Sequence, residues 1–248
     1  MRSIALALAL VAAPGVALAQ VEFADTRWSA FGAVGFESPL SGNVSAAVTG
    51  NLPNSPQLVL GNVTGSDVYG SLARWHFGVG LRITERSELL GSFSYSAGGG
   101  SRAVIGVTPG PLYVGAFDDL GEKGLEMGYR YHLSSVGRVM PYVGAWGGMV
   151  RGSAISASVT IPNDPQPAFA LPVLDASSAG TVAGGGGIIV PLSSRFALTA
   201  DVNIRWRGAL NSANVLVGTG LDRIGRDSAR WSLPVVFGGL VRLGPPRY

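Results

Sequence analysis

Phe196, Leu198, Ala200, Val202, Ile204 and Trp206 are apolar at every second position, and Ala197, Thr199, Asp201, Asn203, Arg205 and Arg207 between them are small, polar or charged. That period is a strand with one apolar face. It recurs at Trp75, Phe77, Val79, Leu81 and Ile83 against Arg74, His76, Gly78, Gly80 and Arg82. It returns at Leu125, Met127, Tyr129, Tyr131 and Leu133 against Glu126, Gly128, Arg130 and His132. Alternation alone fits a soluble sandwich with its polar face in water, or a barrel that is apolar outside and polar inside.

The connections separate the two. Eight strands are read at 27–37, 68–83, 87–96, 123–133, 139–151, 180–192, 196–208 and 229–243. Three connections are short (84–86, 134–138 and 193–195) and four are long (38–67, 97–122, 152–179 and 209–228), in strict alternation. Short periplasmic turns, long surface loops and an even strand number describe a transmembrane barrel, whereas a sandwich has no reason to sort its connections. The expectation is an all-β, eight-stranded antiparallel up-and-down barrel in the cell outer membrane, with a soluble periplasmic barrel binding a ligand inside as the alternative fold.

Composition agrees. The chain has 248 residues, is 47% hydrophobic and only 13% charged, and carries 37 glycines and 15 prolines. Disorder is excluded, and strands and turns are favoured over helices. There is no cysteine, which closes disulfide scaffolds, thiolate metal sites and cysteine nucleophiles. Lys123 is the single lysine and the net charge is +3, without a basic run, so a nucleic-acid partner is not expected.

Residues 1–19 read as a secretory signal, with Arg2 before an apolar stretch from Ile4 to Ala13 and an Ala17-Leu18-Ala19 cleavage pattern ahead of Gln20. Residues 20–248 are then the barrel domain. Beyond residue 20 the longest uncharged apolar stretch, Val139 to Val150, is too short for a spanning helix.

Residues opposite one another on paired strands face the same side. With Leu81, Ile83, Leu89 and Phe93 outward, the turn Thr84-Glu85-Arg86 pairs Ile83 with Ser87 and Arg82 with Glu88. Ser193-Ser194-Arg195 pairs Leu192 with Phe196 and Val190 with Leu198. The fifth strand stays open, since Tyr142 and Trp146 favour one face and Val143, Ala145 and Met149 the other. Pro234 implies a bulge or a later start of the eighth strand.

A barrel of eight strands is about wide enough for its own side chains to fill. The inward candidates are Arg74, Arg82, Glu88, Glu126, Arg130, Asp201, Arg205, Arg207 and Arg242, expected as a paired network plugging the lumen, with Arg82–Glu88 as its most secure member. Asp118, Asp119 and Glu122 form one acidic cluster, read as a solvated loop rather than a metal site. His76 reads as lumen filling.

Val182 to Ile189 with four consecutive glycines, followed by Pro191-Leu192-Ser193-Ser194-Arg195-Phe196 and Asp201-Val202-Asn203, resembles the glycine-rich hairpin of the OmpA-like eight-stranded outer-membrane barrel superfamily. Pro141-Tyr142-Val143-Gly144-Ala145 is similar to its middle strand. The resemblance covers the barrel and no peptidoglycan-binding domain. It implies outer-membrane lipid, lipopolysaccharide and the assembly machinery as partners, the last reading a terminal aromatic for which Tyr248 stands after Pro245 and Pro246. His132-Leu133-Ser134 resembles the His-x-Ser spacing of lipid A deacylase barrels, but no asparagine follows the serine. No catalytic residue, cofactor or metal is therefore assigned. The long loops, poor in charge and holding four prolines between Pro162 and Pro172, point to a structural or adhesion-type role with a surface ligand. A small-ion or small-solute channel ranks second and a lipid A-modifying enzyme third.

Overall fold

The computed structural model describes residues 26–51, 57–106, 113–162 and 169–244. The leader at 1–19, the start at Gln20, the tail after Gly244 and prolines 165 and 167 lie outside them. Eight long strands carry the fold: β1 (Trp28–Pro39), β2 (Leu72–Thr84), β3 (Ser87–Gly98), β4 (Leu120–His132), β5 (Met140–Gly152), β6 (Ser177–Pro191), β7 (Phe196–Arg207) and β8 (Arg230–Leu243). Each pairs antiparallel with its neighbours in sequence, and β8 pairs with β1 to close the barrel. Closure leaves no strand edge unpaired, the condition for crossing a bilayer with strands.

The alternation sorts the faces as its period demands. Val34, Phe77, Leu125, Met127, Val202 and Phe237 point outward and are exposed, while Glu37, Arg74, Glu88, Glu126 and Arg205 are buried inside. A greasy exterior around a charged interior inverts the soluble barrel and the soluble sandwich alike, and it places the chain in the outer membrane, where such barrels occur. Tyr142 and Trp146 on β5 turn inward and Val143 and Met149 outward, which resolves the fifth strand. The large inward rings fit because glycine faces them. A Cβ at Gly128 or Gly144 would collide with the Trp146 indole.

Several boundaries shift. The second strand starts at Leu72, because Val68 and Tyr69 belong to a short helix, Gly65–Tyr69, capped by Thr64, whose hydroxyl accepts the Asp67 N–H. β4 starts at Leu120 and β6 at Ser177, three residues earlier than the pattern suggested. Arg82 does stand opposite Glu88, but Thr84 rather than Ile83 faces Ser87, since an irregularity between Arg82 and Thr84 absorbs the extra residue. Val190 faces Leu198 as expected. Pro234 lies inside β8 without a bulge. The register to β7 is unchanged across it, and the pairing lapses only between Val202↔Val235 and Arg205↔Ser232, where a residue without an N–H cannot donate.

The long connections are not open loops. Asn43–Ser45 pairs with Val63–Thr64, and Val48–Asn51 with Gln57–Leu60. Phe169–Leu174, Ile155–Thr160, Val114–Phe117 and Arg102–Val104 form a four-stranded sheet. Backbone bonds join all four connections in a second ring. Gly61 N–H donates to Ile105 C=O, the sheet links the second and third connections, Ala213 N–H donates to Val173 C=O, and Ala46 N–H donates to Ile224 C=O. Inside that ring Leu58, Ile105, Phe117, Val159, Leu216 and Ile224 are buried in one apolar core, which reaches down to Leu72, Leu120 and Val150 at the barrel mouth. The connections therefore build a folded head over the lumen.

Candidate functional site

The lumen holds two ionic clusters. Toward the head, Glu37 on β1 is the hub. Arg74 Nη1 lies 2.8 Å from its Oε2 and Arg205 Nη1 lies 3.1 Å from its Oε1. Ser96 and Ser232 donate hydroxyl bonds to the same carboxylate at 2.9 and 2.7 Å. Arg205 also reaches Glu126 at 3.2 Å, and Glu122 takes Arg207 at 2.7 Å and Arg230 at 3.0 Å. Three carboxylates and four guanidiniums thus cross the barrel. Burying such charges is costly unless each is paired and its remaining lone pairs are bonded, and the two serines on Glu37 help meet that condition.

Toward the short turns, Glu88 is the second hub. Arg130 and Arg242 each stand 3.3 Å from it and His132 Nε2 3.5 Å, while Ser29 donates to Oε1. A Cβ at Gly80 would strike this carboxylate and Ser29, so glycine is what lets them meet. The Arg130 guanidinium carbon lies 4.4 Å from the Tyr142 ring centroid, a cation–π contact, and Tyr142 donates its phenol hydrogen to Asp201. Beside this cluster Ile189, Ala197 and Leu240 pack with Tyr142, Phe31 and Met140 into an apolar stopper. Between the two clusters lies a cavity of about 20 Å³ bordered by His76, Trp146 and Asn203. His76 Nε2, Trp146 Nε1 and Asn203 Oδ1 are buried with no hydrogen-bond partner among the described residues. The space is that of a single water molecule.

Of the nine residues singled out from the sequence, Arg74, Glu126, Arg205 and Arg207 meet in the upper cluster, and Glu88, Arg130, Asp201 and Arg242 sit in the lower half. Arg82 does not form the ion pair expected of it with Glu88. It is only half-buried near the turn, and its Nη2 donates to Glu85 C=O at 2.8 Å. Standing in register does not by itself make the pair: the carboxylate is held by its register partner on the other neighbouring strand, Arg130 of β4, and by Arg242, which reaches it across the lumen from β8. The reading from sequence missed Glu37, Glu122 and Arg230. Arg230 shares the parity of Arg242 within the strand read at 229–243, and Glu122, one residue before the strand read at 123–133, shares that of Glu126, so carrying the alternation through to the strand ends finds both.

The acidic cluster of the second connection is dispersed. Asp118 Oδ2 accepts the Ser156 N–H, Asp119 Oδ1 accepts the Gly100 N–H, and Glu122 turns into the lumen. Tyr69, buried in the head, donates to Asp118 C=O at 3.1 Å; burial, then the nearby Asp118 charge, raises its phenol above the usual range. His132 is buried against Glu88 and the Tyr142 ring, whereas Ser134 is exposed beyond the strand end. The pairing that a serine nucleophile needs with its base is not formed.

No family model and no curated protein matches the chain. Solved outer-membrane barrels are similar to it in fold. Neisserial surface protein A is 12% identical, covering 90% of this chain and 100% of its own, at a TM-score of 0.44. Ail, the attachment invasion locus protein of Yersinia pestis, is 11% identical over 88% of this chain and 99% of its own, at 0.41. The outer-membrane protein OprG of Pseudomonas aeruginosa is 8% identical over 90% and 99%, at 0.44.

Proposed function

We propose that the chain is a non-conducting, non-enzymatic outer-membrane barrel whose role is to hold a folded head at the cell surface, in a structural or adhesion-type interaction. One observation carries the reading: the lumen is filled along its length by two buried ionic clusters and an apolar stopper, and the head core closes its outer mouth. A pathway for ions would have to break Glu37–Arg205 or Glu88–Arg130, each buried on both sides. The part of the molecule left to meet other molecules is the head, which exposes Val104, Val215 and Val217. Under the same reading, cleavage after Ala19 delivers the barrel to the assembly machinery. Planar-bilayer recording tests the reading. The wild-type barrel gives no steady conductance; large, stable single-channel steps would instead establish the channel.

A further inference from the structure

The outer face of β4 and β5 ends, on the head side, in two cations side by side. Lys123 and Arg151 are direct cross-strand partners and both are exposed. The alternation turns them outward, with Leu125 and Met149 as the next pair along the same face. Like charges placed opposite one another repel, and neither residue takes part in any ion pair among the described residues. The arginines of the two lumen clusters are matched to carboxylates; among the described residues these two cations are not.

Their height is fixed by the strand. Eight residues separate Tyr131 from Lys123, about 27 Å along the chain at ~3.4 Å per residue, or about 21 Å along the membrane normal at a tilt of ~40°. That is close to the full height of an apolar band ~25 Å tall. Tyr95, opposite Lys123 on β3, lies beside Trp75 with ring centroids 5.6 Å apart, the aromatic marking of a membrane–water boundary. The two cations therefore stand where hydrocarbon gives way to headgroups, in the leaflet on the head side.

We propose that Lys123 and Arg151 together bind the phosphate of an outer-leaflet lipid, lipid A, with its acyl chains lying on Leu125 and Met149. One phosphate between the two cations relieves their repulsion, and the apolar pair directly below favours a lipid over a soluble polyanion. The inference rests on the transmembrane reading of the barrel. Native mass spectrometry in detergent, with lipid A and dephosphorylated lipid A as probes, tests it on the wild type, on Lys123→Gln/Arg151→Gln and on Lys123→Arg. The double variant should retain lipid A roughly tenfold less, Lys123→Arg should retain it like the wild type, and dephosphorylated lipid A should bind all three equally weakly. Equal retention by wild type and double variant, or indifference to the phosphate, overturns the proposal, as does charge-dependent binding of a heparin fragment without that of lipid A. Unheated gel mobility is the independent control. A wild type that does not shift on heating contradicts the barrel reading itself, whereas shifting proteins with equal lipid retention contradict only the lipid site.

Discussion

Glu37 on β1 and Arg205 on β7 meet at 3.1 Å although β8 lies between their strands in the ladder. The contact crosses the lumen instead of running along the wall, so it braces the barrel from within. Arg74 on β2 reaches the same carboxylate from the other side, and one acid thereby ties together strands on both flanks of the seam where the barrel closes.

Removing the acid alone leaves buried guanidiniums without their counter-charge. Glu37→Gln should cost about 3 to 5 kcal/mol in a denaturant titration of the lipid-embedded barrel. Glu37→Gln combined with Arg205→Gln should cost less than the two single losses added together, with a coupling of about 0.5 to 3 kcal/mol. Strict additivity would show that the two do not interact.

Facing provides a second check. Val202 is half-exposed on the outer wall and its neighbour Asn203 turns inward toward the Trp146 cavity. An arginine at Val202 should cost about 2 to 4 kcal/mol near mid-membrane, whereas Asn203→Ser should stay within about 1 kcal/mol. Equal tolerance in a refolding titration would reverse the assignment of the two faces.

Much of the barrel is legible in the sequence because β2, β4 and β7 alternate without interruption, and two-residue periodicity fixes both the strand and its face. β5 is not legible on that basis. Tyr142 and Trp146 favour one face and Val143, Ala145 and Met149 the other, and the choice is settled by the glycines around the two rings, 128 and 187 opposite them and 144 between them on β5, which hollow the wall to admit them. The ionic hubs hide for a related reason. Glu37 and Glu122 lie near strand ends, where alternation fades into turn-forming residues, and Glu88 takes, besides its register partner Arg130, an arginine from across the lumen, Arg242, that no local pattern encodes. The head is the largest omission. Its strands run only two to six residues, too short for a period to register, and its core residues sit singly among Gly, Ser and Pro.

Export makes a separate prediction. The protein recovered from outer membranes should begin at Gln20, as read by N-terminal sequencing. A chain retaining Met1, or one recovered as soluble periplasmic protein, would contradict the signal reading.

Because the chain has no cysteine, single introduced thiols report position without background. The most direct test labels intact cells with a membrane-impermeant maleimide after placing one cysteine at Val215 or Val217 on the head, Val136 in a short turn, or Ser92 in the lumen; the first three positions are exposed and Ser92 is buried. A barrel with its head outside and its lumen filled predicts rapid labelling at Val215 and Val217, none at Val136 until the outer membrane is broken, and little at Ser92 even then. Labelling of Val136 from outside would invert the topology, and labelling of Ser92 as fast as Val215 would show an open lumen.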